Sequence, residues 1–124
     1  WGLMPDMAIT TTLCRCMPAD RIKELALTGR VIDGAEACRL GLVTAVHEDP
    51  SQAARITAAE IADKSPDAIR AIKRLFDLAW TLSDADALRL EAELQLTLLG
   101  GQNQVEAAMS NIERRAPRFV DPKS

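Results

Sequence analysis

Asp84–Leu99 reads D-A-D-A-L-R-L-E-A-E-L-Q-L-T-L-L, with Ser83 before it as a cap and Gly100-Gly101 after it as a break. At about 100° per residue, Leu88, Ala92, Leu96 and Leu99 form one apolar stripe. Leu90, Leu94 and Leu98 form a second, about 200° round the axis. A helix that is apolar on two opposed faces is buried between two partners. In a chain of 124 residues the second partner is expected to be another subunit. The set Leu90, Leu94 and Leu98 is the face expected to need that second partner.

The neighbouring segments are helical too. Ser65-Pro66 is a cap followed by a first-turn proline. After it, Ile69, Ile72, Leu75, Phe76, Ala79 and Trp80 share one face, with Arg70, Lys73 and Arg74 opposite. A last helix over Gln104–Arg115 places Val105, Ala108, Met109 and Ile112 together, and Pro117 stops it. The tail to Ser124 is expected to be loose.

Towards the start, Pro18 opens a helix over Ala19–Thr28 that Gly29 ends. Asp33 with Glu36 is a capping-box variant opening a short helix that Gly41 ends. Leu42–Val46 is one short strand or extended segment, with no second strand to pair with it. Pro50 opens a helix over Ser51–Lys64 whose apolar positions are mostly alanine, so it should bury little. Ala8–Met17 has mixed signals, because its β-branched run argues weakly against helix. No internal repeat or linker is visible.

Composition agrees with a helical fold. Aromatics are 3% of the chain, too few for an aromatic-rich β-sandwich core. The formal net charge is −3, without a basic tract, so nucleic acid is a poor partner. No apolar run approaches the roughly 18 residues of a membrane span. Cys14, Cys16 and Cys38 are odd in number and lack zinc spacing, and they read as reduced cytosolic thiols. His47, the single histidine, reads as a surface residue. The chain opens on Trp1 rather than methionine, which suggests a processed, truncated or cut chain.

Chemistry concentrates in Trp1–Met7, W-G-L-M-P-D-M. Asp6 is either a general acid or base, or the N-cap of the helix that follows. Arg70, Lys73 and Arg74 are either a phosphate-binding cluster or a solvated helix face. Arg114-Arg115 suits a helix C-terminus without any ligand. No metal-ligand set is present.

Five stretches together resemble the C-terminal part of a crotonase-family protein, of the enoyl-CoA hydratase/isomerase superfamily. Trp1–Met7 resembles the family's turn after its second catalytic segment, where G-L-x-P-D or G-x-x-P-G is usual. Lys23–Gly29 (K-E-L-A-L-T-G) and Ala35–Val43 (A-E-A-C-R-L-G-L-V) are similar to family text. So are Ser65–Leu75 (S-P-D-A-I-R-A-I-K-R-L) and Glu113–Phe119 (E-R-R-A-P-R-F). They stand in the family's order and near its separations.

The resemblance implies a mainly α chain: the C-terminal helical, oligomer-forming region of a crotonase-like ββα spiral, with one short extended segment. Residues 1–17 would end the spiral core, and 18–124 would form the helical region. It implies an acyl-CoA hydratase or isomerase working through an enolate held by two backbone N–H groups, with carboxylates shuttling the proton. In the family, both donors and the usual glutamate pair lie before the part matched by Trp1–Met7. Asp6 matches the aspartate that the family's dienoyl-CoA isomerases use for proton transfer. Arg114 fits a basic position presented to a neighbour's coenzyme A, whereas Asn111 stands where an aromatic is usual. Ala8-Ile9 replaces the family's Gly-Gly, and Ile9 would narrow the acyl pocket. Thr11-Thr12 replaces its usual Gln-Arg. The implied partners are an acyl-CoA substrate and further copies of the chain, as a trimer or hexamer, in the cytoplasm. No cofactor is implied beyond the coenzyme A of the substrate. The alternative is a non-catalytic, truncated oligomerisation module.

Overall fold

The computed structural model describes residues 2–122. Trp1 of the opening turn, and Lys123 and Ser124 of the tail, lie outside the described residues. The described residues form seven α-helices and no strand. The chain packs as two units, Trp1–Ala53 and Ala54–Ser124.

The first unit holds α1 (Ile9–Thr12), a 3-10 turn (Leu13–Arg15), α2 (Ala19–Thr28) and α3 (Gly34–Leu40). Ala8–Met17 is thus mostly helical, despite its threonines. Both Thr11 and Thr12 turn their hydroxyls back onto the Ala8 carbonyl, at 3.0 and 2.8 Å. α2 follows Pro18 and ends at Gly29, whose φ of 60° lets its N–H reach the Leu25 carbonyl at 2.9 Å. α3 opens with the Asp33 carboxylate accepting from the Glu36 N–H at 2.7 Å. The Glu36 carboxylate turns instead to Arg30, at 2.9 Å, and Arg39, at 3.4 Å.

Gly41 closes α3 with a φ of 86°. The Gly41 and Leu42 amides return to the Cys38 and Ala37 carbonyls, the double closure of a Schellman motif. A Cβ at Gly41 would stand 2.5 Å from the Cys16 carbonyl oxygen, so only glycine fits there. That contact ties the end of α3 to the end of the 3-10 turn, beside Met17, which is buried. Leu42–Val46 forms no ladder: it bends through 42–44, and Val46 returns to pack beside Gly34. A strand needs a partner, and none exists among the described residues.

α4 (Pro50–Ala62) crosses from one unit into the other along the sequence. Asp49 caps it, accepting from the Gln52 N–H at 2.9 Å. Its isoleucines, Ile56 and Ile61, are exposed, as its alanine-rich pattern implies.

The second unit is built on α5 (Pro66–Ala79), α6 (Asp84–Leu98) and α7 (Gln102–Glu113). Ser65 caps α5 through the Ala68 N–H, and Ser83 caps α6 through the Asp86 N–H. α5 packs along α6 and touches α7. Here the expected roles of the two leucine stripes are reversed. Leu90, Leu94 and Leu98 are half-buried within the unit. Leu88 and Leu96 are 67% and 71% exposed, and Leu99 is exposed beside them. On α5, Leu75 and Ala79 are half-buried, while Ile72, Phe76 and Trp80 stand exposed one turn apart. The Phe76 and Trp80 rings meet at a centroid distance of 6.0 Å.

Candidate functional site

Asp6 lies in the opening segment of the first unit, exposed among exposed Leu3, Met4 and Met7. It caps nothing. The N-cap of α1 is Ala8, and no side chain satisfies that helix start. Among the described residues the Asp6 carboxylate has no hydrogen-bond or ion-pair partner. The capping alternative is therefore replaced by a backbone solution. Ala8 takes the left-handed conformation, φ 59° and ψ 25°, and its carbonyl gathers the Thr11 and Thr12 amides at 3.1 and 3.0 Å. Both threonine hydroxyls converge on the same oxygen.

That conformation has a sequence logic. Ala8 stands where the resemblance expects a glycine, and the backbone keeps the geometry glycine favours. Ile9 follows as the first residue of α1 and is half-buried, unlike the residues before it. Asp6 thus stands two residues ahead of a hydrogen-bonded knot, with its carboxylate directed to no internal duty.

Arg114 belongs to the second unit. It ends α7 in the left-handed conformation, φ 53° and ψ 42°. Its amide reaches the Asn111 carbonyl at 3.3 Å, and the Arg115 amide reaches Ser110 at 3.0 Å. This is again a Schellman closure, with arginine where glycine is usual. The Arg114 guanidinium is exposed and unpaired among the described residues. Helix α7 starts at Gln102, two residues earlier than its pattern suggests, and its end comes from Arg114 before Pro117 is reached.

Two polar clusters on α7 hold the segment that leaves it. Arg115 spans the Glu106 carboxylate with both terminal nitrogens, at 2.9 Å for Nη2, and its Nε donates to Glu113 at 2.6 Å. The Arg118 amide adds a bond to Glu106 at 2.7 Å. The Arg115 side chain first, and the Arg118 amide second, hold the Glu106 carboxyl down at about 2. Asn103, 2% exposed, donates to Asp67 at 2.7 Å and to the Val120 carbonyl at 2.8 Å, and accepts from the Val120 amide at 2.9 Å. The exit segment is pinned to α7 on both sides of Pro117. The only sequence signal was Glu106 nine residues before Arg115, a separation that no helical-spacing rule flags.

His47 is exposed, and no group of three metal-ligating side chains exists among the described residues. No helix of the described residues is long and apolar enough to cross a membrane.

Residues 1–122 match the enoyl-CoA hydratase/isomerase family. A protein of Mycobacterium bovis named "Probable enoyl-CoA hydratase echA8" is 35% identical over 121 residues, 96% of this chain and 47% of its own length. The mitochondrial enoyl-CoA hydratase domain-containing protein 2 of Mus musculus is 34% identical, covering 96% of this chain and 42% of its own. The crystal structure of an enoyl-CoA hydratase from Mycobacterium tuberculosis superposes with a TM-score of 0.83 at 27% identity, over 96% of this chain and 48% of that one. The chain spans about half the length of the relatives it matches. Its mainly α structure corresponds to the helical C-terminal part of those proteins. The chain thus belongs to the enoyl-CoA hydratase/isomerase family, within the crotonase superfamily.

Proposed function

We propose that this chain is the helical part of an acyl-CoA hydratase or isomerase that acts on an enoyl-CoA thioester through an enolate, in fatty acid metabolism. The observation that carries the reading is the family match over residues 1–122, together with an Asp6 that has no structural duty. A carboxylate kept free in a turn fixed by the Ala8 knot is suited to proton transfer, once a substrate and a desolvating wall stand beside it. Residues 1–17 then end the spiral core, and 18–124 form the helical region. Ile9 lines the acyl side of the pocket. Arg114 offers its unpaired guanidinium to coenzyme A phosphates, the only cofactor chemistry the reading needs. The protein works in the cytoplasm as a homo-oligomer.

Turnover of a short enoyl-CoA, followed by loss of the conjugated thioester absorbance, tests this. The 124-residue chain alone is expected to be inactive, because an oxyanion-hole donor is worth about 10²–10³ in rate and a general acid or base about 10²–10⁴. The same chain joined to the part of the M. tuberculosis relative that it does not match is expected to turn over. Activity of the chain alone, or a folded but inactive chimera, would overturn the reading.

A second reading, a non-catalytic oligomerisation module, is favoured by one observation. Leu88 and Leu96 on α6, Leu99 just after it, and Val105 and Ile112 on α7 are all exposed, more apolar surface than a solitary helical unit usually shows. Such a module would assemble as a trimer or larger species in sedimentation without affinity for coenzyme A, and coenzyme A binding by the chimera would exclude it.

A further inference from the structure

α5 carries two arginines that the reading above leaves unused. Arg70 and Arg74 are one helical turn apart and line the same cleft, about 430 Å³ in volume. Its other wall is α6, which contributes Leu94 and Leu98, and Pro122 also lines it. The size falls within the roughly 300–1,000 Å³ of small-molecule sites.

The charges are only partly compensated. Of the two carboxylates of α5, Asp77 pairs with Lys73 at 3.0 Å, and Asp67 accepts from the Asn103 amide. Neither the Arg70 nor the Arg74 guanidinium has a hydrogen bond or ion pair among the described residues. Asp67 also lines the cleft, so its formal charge is +1. The Thr97 hydroxyl, on the α6 side, is spent on the Leu94 carbonyl at 2.6 Å. The donors facing the cleft are thus guanidiniums, and the lining between them mixes Asp67 and Thr97 with Ala71, Leu94 and Leu98.

Side chains four apart on a helix sit about 5–6 Å from each other at Cβ. Two guanidiniums so placed can grip one tetrahedral or planar anion from both sides, each with parallel N–H donors. An arginine pair on an open helix face would be a solvated surface. Both arginines are exposed, but this pair borders half-buried leucines, against which a bound ion could lay an apolar stem.

We propose that the Arg70–Arg74 cleft is a binding site for a soluble single-chain amphiphilic anion, a phosphate or carboxylate head on an alkyl stem. The head lies between the two guanidiniums and the stem on Leu94 and Leu98. The site is independent of Asp6 and Arg114, so it stands or falls apart from the acyl-CoA reading.

Calorimetric titration of the 124-residue chain with octyl phosphate tests it. Octyl phosphate is expected to bind, with inorganic phosphate at least about tenfold weaker, since it lacks the stem. Neutral octyl glucoside is expected not to compete. Arg70→Gln with Arg74→Gln should weaken octyl phosphate at least about tenfold, and Arg70→Lys with Arg74→Lys should restore part of the loss. Raising salt should weaken wild-type binding, a readout that needs no variant. Equal binding of octyl glucoside would overturn the proposal. So would salt-independent binding, an unaffected folded double variant, or binding only to anionic vesicles.

Discussion

The Asn103 amide, buried at the start of α7, donates to the Asp67 carboxylate in the first turn of α5, 36 residues earlier. The same side chain makes two bonds to the backbone of Val120. One amide therefore joins two helices and the exit segment.

Removing it should be costly. Asn103→Ala would leave the Val120 amide and carbonyl and the Asp67 carboxylate without partners. An orphaned buried group costs about 1–3 kcal/mol, and these groups are part-buried, so each costs less than the full amount. Allowing for water at the cavity, a loss of about 2–4 kcal/mol is expected in denaturant unfolding. A loss below about 0.5 kcal/mol would mean that the exit segment is held by other contacts.

Glu106 gives the second unit an acid-sensitive latch. Its folded carboxyl sits at about 2, below the ordinary 4.5. A depressed carboxyl adds stability above its unfolded pKa and loses it as pH falls through the folded value. The stabilisation should therefore be full above about pH 5 and fade between about 4.5 and 2. Glu106→Gln should flatten that part of a stability-against-pH profile while lowering the plateau. An unchanged slope in the variant would assign the acid sensitivity to other carboxylates.

Ala8 and Gly41 share a left-handed backbone with opposite consequences. Ala8→Gly should stabilise the opening segment by about 1 kcal/mol, because the alanine Cβ is strained there. Gly41→Ala should destabilise by about 2 kcal/mol or more, since its Cβ would meet both the strain and the Cys16 carbonyl. Hydrogen exchange at Thr11 and Thr12 reads the first, and thermal unfolding reads the second.

Arg114 allows its two roles to be separated. Arg114→Gly should hold or raise helix stability, because glycine prefers the φ of 53° found there. If the guanidinium meets coenzyme A phosphates, the same change in the chimera should weaken coenzyme A binding and reduce its salt sensitivity. Lys73→Ala serves as the control, because Lys73 is exposed and paired with Asp77. Unchanged coenzyme A affinity in Arg114→Gly would leave Arg114 as a helix end only.

Much of this fold is legible in the sequence where the signals are local. α2 and α3 begin and end at the residues their caps name, because Pro18, Gly29, Asp33 and Gly41 act on their own turns. Tertiary contacts are where legibility ends. The stripes of α6 are alike in sequence, and only the position of α5 decides that Leu90, Leu94 and Leu98 face inward. Asn103 and Glu106 were illegible because their partners are 36, 17 and 9 residues away. Leu42–Val46 was legible as a strand or extended segment with no second strand to pair with, and it forms no ladder. At the site, Asp6 was legible as a carboxylate in a turn. That Ala8, rather than Asp6, opens α1 depends on a backbone conformation alanine rarely takes.

The central claim is that Asp6 transfers a proton in an acyl-CoA hydratase or isomerase. The direct measurement is kcat and coenzyme A affinity of the chimera carrying Asp6→Asn. Loss of a general acid or base predicts a kcat lower by about 10²–10⁴, with coenzyme A affinity nearly unchanged, because the loss falls on the transition state. An unchanged kcat in the folded variant would contradict the claim.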